Sequence, residues 1–431
     1  MKLSANEIDR IYTNELTPKQ KKVFHLFLQG ERDEDIYPQI EVTTRCAATK
    51  HITNIGRKFG ISPETEPDYR CILIETFAKY KPELVSAKAL ENCGFLNYNI
   101  RYPDNPEPLN SPFYQTRNSL EDNCCRKLQE PGVLIRIKAP KKMGKTSFLY
   151  RIIDHAKKQS YKTVYLNFSL IEKDKFKQYD KFLLSFYNYL NNELDGEYPW
   201  NNNEPNMLNC TYQVRSLLKK IKGVLVLILD EADQLFEYPE IYENFFPMLR
   251  VWNEKVNESE IWENLRIIVS HSTQNYGKLD INQSPFNIGY PINLEELTQE
   301  QVRNLILSHG LNSDIVNPIM SLVGGHPYLV RLACYYLACE EMTLEQFIRE
   351  ATTDLGIYQQ HLRESLGIIK INYELTKTFQ AILNASQGIE TKDLEKEHIY
   401  QLDSMGLIKQ TNKNVITLSC SLYKHYFSNH L

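Results

Sequence analysis

The chain has no pair of cysteines at CxxC spacing and no cysteine with histidines at zinc-ligand spacing, so a sequence-encoded zinc module is not expected. The nine cysteines, an odd number, are scattered as Cys46, Cys71, Cys93, Cys124, Cys125, Cys210, Cys334, Cys339 and Cys420. They read as reduced, mostly buried thiols of a cytoplasmic protein. No stretch approaches eighteen apolar residues, and the first residues carry no apolar core behind their single lysine, so neither a membrane span nor a secretion signal is expected. Charge of one sign is also lacking: 50 Lys and Arg against 54 Asp and Glu leave a net charge of −4. The chain as a whole therefore does not attract nucleic acid, and any such binding has to come from a local patch. What remains is ordinary for a globular protein, 431 residues with 42% hydrophobic and 24% charged, enough for about three folded units.

The most informative segment is Ala139-Pro140-Lys141-Lys142-Met143-Gly144-Lys145-Thr146-Ser147, directly after the apolar run Val133 to Ile137. A loop of this length ending in Gly-Lys-Thr, between a strand and a helix, wraps backbone N–H groups around phosphates. Lys145 would reach the β- and γ-phosphates and Thr146 would offer its hydroxyl to Mg²⁺. The first glycine of the GxxxxGK[ST] pattern is replaced by Ala139.

The second half of such a site lies further on, where Val224 to Leu229 runs into Asp230-Glu231. Six consecutive apolar residues bounded by charge describe a strand buried on both faces, as in a parallel sheet. Carboxylates at the C-terminal end of such a strand sit where open α/β sheets bind ligands. Asp230 would hold Mg²⁺ through water, and Glu231 would orient or deprotonate an attacking water. The string Asp230-Glu231-Ala232-Asp233 is also found in helicases, but no second RecA-like domain has room to follow it.

Along the chain, residues 1–95 show short helical patterns, and 96–110 form a Pro/Asn-rich linker around Asn97 to Pro108. Residues 111–295 alternate strands and helices, with strands expected at Val133 to Ile137, Thr163 to Phe168, Val224 to Leu229, Leu265 to Val269 and Asn287 to Asn293. That alternation argues for a parallel sheet with right-handed crossovers. A polar group is expected just after the fourth strand, at Ser270 and His271, close to a γ-phosphate. Residues 296–368 turn helical. Thr298 to Gln301 is a capping box, a second helix runs from near Asp314 to Val323, and Gly324-Gly325-His326-Pro327 is a tight corner opening another helix. Such a helical lid would bring His326 and Pro327 to the nucleotide. Residues 369–431 read as three helices and then two short strands around Thr411 to Asn414, a winged-helix order.

Several of these segments together resemble the AAA-like domain family of bacterial, mainly cyanobacterial, P-loop NTPases related to the STAND signalling ATPases. They are Ser111 to Tyr114, Ile135 to Pro140, Met143 to Ser147, Leu229 to Glu231, Asn282 to Asn287 and Gly324 to Leu329, and the resemblance covers roughly residues 105 to 427. It implies an α/β fold with an ASCE-type core, and it tolerates Ala139. It further implies that Arg117, with Leu120 and Glu121, flanks the nucleotide base, and that Gly325-His326-Pro327 senses the bound nucleotide.

The N-terminal segments Leu16 to Lys21, Lys50 to Ile55 and Arg57 to Gly60 resemble the helix-turn-helix of LuxR-type regulators. Ala48, Ile52, Ile55 and Phe59 form one core-facing stripe. Lys50, Asn54 and Arg57 then point outward, Arg45 and Lys58 flank them, and no acid occurs between Val42 and Gly60. Such a face could lie in a DNA major groove. The C-terminal unit is worse suited, because Asp393, Glu395, Glu397 and Asp403 crowd its recognition helix.

The expectation is thus a cytoplasmic protein of an all-α helix-turn-helix domain, a P-loop core with helical lid, and a winged helix. It would bind ATP and Mg²⁺, hydrolyse slowly with Lys145 and Glu231 as catalytic residues, and act as a molecular switch in signalling, transcriptional regulation or defence. Duplex DNA and a protein partner or self-assembly are expected, with no membrane. The alternatives are a DNA-loading ATPase of the replication-initiator or transposition-regulator kind, with Arg250 or Arg266 as an arginine finger, and a non-hydrolysing nucleotide-binding adapter.

Overall fold

The computed structural model describes residues 5–40, 44–64, 66–81, 84–93, 100–196, 198–200, 204–221, 223–272, 289–411 and 414–431. The Asn282 to Asn287 run, the start of the fifth expected strand at Asn287, residues 96–99 of the linker and the tip of the expected C-terminal hairpin at Asn412-Lys413 lie outside them.

At the centre is a five-stranded sheet of β1 (Leu134–Lys138), β2 (Lys162–Asn167), β3 (Leu225–Asp230), β4 (Leu265–His271) and β5 (Tyr290–Asn293). All neighbours pair in parallel, in the order β2-β3-β4-β1-β5. The uninterrupted apolar run of β3 is explained by the sheet being covered on both sides. Leu225, Leu227 and Leu229 join the apolar cluster built with the Tyr179–Glu193, Met207–Lys220 and Pro239–Glu254 helices. Val226 and Ile228 point the other way, into the cluster of the Lys145–Lys158 helix with Phe148, Leu149 and Ile152. The period-2 alternation of a strand therefore survives, with both faces apolar.

Strand β4, last but one in the chain order of the sheet, is inserted between β3 and β1. The strand carrying the Gly-Lys-Thr loop and the strand carrying Asp230 are thereby separated by one strand, and the end of β4 stands between them. Ser270 and His271 lie inside β4, paired in register with Ile137 and Lys138, rather than after it as expected. Extra register with β1 extends the strand through both residues.

After the sheet, Thr298 caps the Gln299–Ser308 helix in a capping box with Gln301, as its sequence predicts. The Val316–Val323 helix ends at Gly324, and Pro327 opens the Pro327–Ala338 helix. The end of the chain departs from three helices followed by two strands. Two helices, Tyr373–Asn384 and Lys396–Ser404, precede the β7 (Ile408–Gln410) and β8 (Val415–Leu418) hairpin. A two-residue strand, β6 (Ile389–Glu390), completes an antiparallel sheet of order β6-β8-β7. A further helix, Ser421–His430, follows the hairpin. Its aromatic residues Tyr423, Tyr426 and Phe427 are buried in one apolar cluster with Leu329, Leu332, Phe379 and Leu402, so the lid and the C-terminal unit share a core. The Gln359–Ile371 helix runs across residue 369, where the sequence suggested a division.

The N-terminal residues make their own core, with Phe24, Ile52, Ile55, Phe59 and Phe77 among its members. The Arg45–Lys58 helix packs there against the Pro18–Leu28 helix and the short Asp33–Ile36 turn of helix. Cys71 and Cys93 form a disulfide, their Cα atoms 5.3 Å apart. The expectation of nine reduced, mostly buried thiols is corrected here, because helix packing brings together two sulfurs that are 22 residues apart in sequence. Cys46 and Cys339 are moreover exposed. Among the described residues no helix is long and apolar enough to cross a membrane.

Candidate functional site

The loop between β1 and the Lys145–Lys158 helix turns on Gly144, which holds φ 87°, a backbone region that glycine enters at little cost. Lys142 holds φ 62° without that freedom. No side chain caps the helix that Gly144 opens. The first amides of a helix have no partner within it and collect at the positive end of its dipole. This end of the helix is therefore free to receive an anion in the concavity of the loop.

Lys145 is the first residue of that helix and is buried. Its ammonium donates to the carbonyls of Ala139 and Pro140, both at 2.9 Å. Burial lowers its pKa to about 8, partly opposed by Asp233, Asp230 and Glu231, so it stays protonated at neutral pH. The next residue, Thr146, donates its hydroxyl to Asp230 Oδ2 at 2.8 Å. Asp230 is fully buried at the end of β3. The same oxygen accepts from the Tyr165 hydroxyl of β2 at 2.9 Å, and Asp230 Oδ1 accepts from the N–H of Glu231 at 2.9 Å. The hydroxyl and the carboxylate are the kind of oxygen ligands that a phosphate-bound magnesium ion takes, and the loop amides are donors suited to its phosphates. Among the described residues there is no cluster of three or more His, Cys, Asp or Glu that could hold a metal without phosphates.

Glu231 has φ 53°, a left-handed conformation unusual for this residue. Ser169, just beyond β2, donates its hydroxyl to Glu231 Oε2, and the Gln234 amide donates to the Ser169 hydroxyl at 2.8 Å. Asp233 accepts from the Ser272 N–H at 2.8 Å and from its hydroxyl at 3.0 Å, tying the acidic turn to the end of β4. Ser270 and His271 are both fully buried. Burial, with the charges of Arg136 and Lys145, pushes the His271 imidazole well below its usual pKa, so it is neutral.

Arg117 donates to the Met143 carbonyl at 3.1 Å and to the Glu295 carbonyl at the start of the lid. Its own N–H is held by Glu121 Oε1 at 2.9 Å, which also accepts from the Tyr114 hydroxyl at 2.7 Å. Arg117 and Glu121 thus lie together beside the loop. His326 is buried and caps the next helix, accepting from the Leu329 N–H at 3.5 Å. Pro327 follows as the first helical residue.

Sequence reasoning missed several contacts. Residues 100–110 contain no helix or strand, yet Glu107 joins two helices, Lys145–Lys158 and Pro327–Ala338. Its N–H donates to the Ser147 hydroxyl at 2.9 Å, its carbonyl accepts from Arg151, and its carboxylate accepts from Arg331 of the lid at 3.2 Å. The turn at Gly406, after the Lys396–Ser404 helix, rests on the loop: a Cβ at Gly406 would stand 3.2 Å from Pro140 Cβ. Both are long-range contacts that local sequence carries no mark of.

The basic residues of the N-terminal helix divide. Arg45 and Lys50 are exposed, and no ion pair holds either among the described residues. Arg57 pairs with Glu64 and donates to Asn54 Oδ1 at 3.1 Å. Lys58 turns back to donate to the Glu15 carbonyl and to Gln20 Oε1. Lys58 is thus corrected from a flanking groove contact to a strut of the helix packing, because its stem reaches the last carbonyl of the Ile11–Glu15 turn and the first turn of the Pro18–Leu28 helix. Arg266 is likewise corrected as an arginine finger. It is buried in β4 and donates to the Leu128 carbonyl at 3.0 Å. Arg250 is exposed and paired with Glu254 at 2.7 Å.

Residues 102–429 match the sequence profile of the family described as AAA-like domain. No curated protein matches the chain. Among solved structures, a Walker-type ATPase of Pyrococcus abyssi superposes with a TM-score of 0.54 at 10% identity, covering 76% of this chain and all 100% of that one. The ORC2 protein of Aeropyrum pernix, in ADPNP–ADP complexes, follows at TM-score 0.44 and 13% identity, over 76% of this chain and 97% of that one. Domain III of the replication initiation protein DnaA of Thermotoga maritima reaches 0.34 at 15% identity, over 56% of this chain and 95% of that one. The first of these likenesses establishes the fold.

Proposed function

The chain belongs to the AAA-like domain family, and on that premise we propose that it is an ATP-binding, slowly hydrolysing molecular switch of STAND-like character in signalling, transcriptional regulation or defence. The observation that carries this reading is the hydrogen bond from Thr146 to the buried Asp230, beside the buried ammonium of Lys145. A buried carboxylate and a buried ammonium are costly, and here Lys145 opens the Lys145–Lys158 helix while its next residue, Thr146, holds Asp230.

In this reading the amides of residues 141–147 and the Lys145 ammonium hold the phosphates. Thr146 and Asp230 would hold Mg²⁺, which supplies charge neutralisation on the phosphate oxygens. Glu231 takes the proton of the attacking water, and Ser169 holds that carboxylate in place. Ser270 and His271, neutral and buried at the end of β4, report the state of the γ-phosphate. Arg117, fixed by Glu121, borders the base, and His326 with Pro327 closes the lid.

The switch would act through the C-terminal unit. With Gly406 seated on Pro140, a change in the loop is felt directly by the turn behind the Lys396–Ser404 helix, and the shared apolar core carries it to the lid. We read the units as 1–95, the connecting segment 96–110, 111–295, 296–368 and 369–431. The first is a helix-turn-helix that presents Arg45 and Lys50 to duplex DNA, and the last is a winged helix. Such a switch works where nucleoside triphosphate is at hand, in the cytoplasm.

The test is to measure bound nucleotide and phosphate release on the same full-length sample, with and without duplex DNA. Binding with slow release supports the switch. Binding without release under every condition would replace it by an adapter, and no binding would remove the nucleotide reading.

A further inference from the structure

Of the lysines in the loop, Lys141 is exposed, Lys145 is buried, and Lys142 is exposed yet engaged. The Lys142 backbone is held at φ 62°, a region that L residues enter only when their surroundings compensate. Its ammonium lies 4.3 Å from the centroid of the Tyr328 ring. Tyr328 is the second residue of the helix that opens at the Gly324-Gly325-His326-Pro327 corner. To the other links between the phosphate loop and the lid this adds a cation on an aromatic face.

Behind Tyr328 the rings continue. Tyr328 lies 6.4 Å from the ring of His361, and His326 lies 5.7 Å from it. His361 Nε2 is 2.8 Å from the hydroxyl of Tyr423, a buried residue of the last helix. Burial first, and then the charge of Lys142, lowers His361 to about 4. Burial and His361 hold His326 well below its ordinary value, with Lys142 and Arg117 adding to it. The two imidazoles are therefore neutral and bring no positive charge of their own against Lys142.

We propose that Lys142 is a positioning residue of the triphosphate site, exchanged between the face of Tyr328 and the phosphates, so that the charge of the nucleotide decides whether this contact between loop and lid holds. The inference rests on the nucleotide reading of the loop. A cation on an exposed aromatic face is held weakly, whereas a phosphate oxygen is a strong, charge-assisted partner for an ammonium. The exchange therefore runs toward the phosphate. Tyr328 then loses its cation, and the ring cluster that ends on Tyr423 carries the change to the C-terminal helix. Each phosphate added to the ligand strengthens the pull, so the triphosphate draws Lys142 more strongly than the diphosphate does.

The experiment compares the affinity of the full-length chain for a non-hydrolysable ATP analogue and for ADP. The variants are Lys142→Ala, Tyr328→Leu, Tyr328→Phe and the double variant Lys142→Ala with Tyr328→Leu, each checked by thermal melting. Removing the ring in Tyr328→Leu frees Lys142 and should tighten analogue binding by about two- to fivefold, the worth of an exposed cation–π contact. Tyr328→Phe keeps the ring face and should bind as wild type does. Lys142→Ala should weaken the analogue more than ADP, and in that background Tyr328→Leu should change nothing further. Hydrogen exchange of the Ser421–His430 helix should respond to the analogue in wild type and not in Lys142→Ala. If Tyr328→Leu and Tyr328→Phe behave alike, or the two single effects simply add, the proposal is overturned while the nucleotide site stands. If wild type binds neither ligand, the reading of the loop itself has failed, and the proposal with it.

Discussion

The Thr146 hydroxyl donates to Asp230 Oδ2 at 2.8 Å across 84 residues of sequence. This one bond closes the distance between the loop after β1 and the end of β3, which are separated in the sheet by β4. It makes two motifs a single site.

Binding should stabilise the fold. Mg²⁺-ATP engages amides, Lys145 and Asp230 that are assembled only in the native chain, so at a ligand concentration of about a hundred times Kd the gain should be about 2.7 kcal/mol. Lys145→Ala should remove most of the resulting rise in melting temperature. An unchanged rise in that variant would rule out the loop as the phosphate site.

Glu231 and Ser169 should both support turnover, to different degrees. Glu231→Gln retains shape but cannot accept a proton, so nucleotide stays bound while phosphate release is suppressed. Ser169→Ala frees the Glu231 carboxylate from its hydroxyl partner and should lower the turnover rate, by less than Glu231→Gln does, with little change in ATP affinity. Binding by calorimetry and phosphate release, measured on both variants, decide this. A loss of affinity in Ser169→Ala would mean that the serine is structural.

Lys145 sets a pH limit. Its pKa is lowered to about 8 in the folded chain, so the ammonium that meets the phosphates is lost above that pH. Apparent affinity for Mg²⁺-ATP should fall by about tenfold per pH unit above 8. The sign for the protein without ligand is opposite. Between the lowered folded pKa and the higher unfolded one the unfolded chain binds more protons, so this group contributes stability that grows as pH rises. Titrating affinity from pH 7 to 9.5 in wild type and Lys145→Arg checks the assignment. The arginine variant, if it still binds, should show no such fall, and an equal fall in both would place the titrating group elsewhere.

DNA binding by the Arg45–Lys58 helix should depend on Arg45 and Lys50, which are exposed and held in no ion pair among the described residues. Lys50→Ala or Arg45→Ala should each lower the dependence of log K on log salt by about one and weaken all sequences alike. Arg57→Ala should do less, because its guanidinium is already paired with Glu64. Fluorescence anisotropy of the full-length chain on short duplexes at several salt concentrations reads all three. Equal effects from all three variants would mean that Arg57 leaves Glu64 for phosphate, and no effect from any would leave the helix as a protein contact.

The sequence by itself determined what local chemistry can encode. The Gly-Lys-Thr loop needs residues of fixed type at adjacent positions, the apolar run into Asp230 needs a strand covered on both faces, and the capping box at Thr298 is read within four residues. The stripe of Ala48, Ile52, Ile55 and Phe59 announced its buried face because helical periodicity alone sets which residues share a side. Contacts between distant segments were decided by the tertiary structure. The insertion of β4 between β3 and β1 placed Ser270 and His271 within the sheet. Helix packing joined Cys71 to Cys93 and turned Lys58 inward. Glu107 lies in a stretch that reads as a linker, yet it binds the loop helix to the lid. Gly406 touches Pro140, and Lys142 lies over Tyr328, because the lid and C-terminal unit share one apolar core that carries them onto the loop. Such pairings gain their energy only after the intervening chain has folded, so no pattern of neighbouring residues records them.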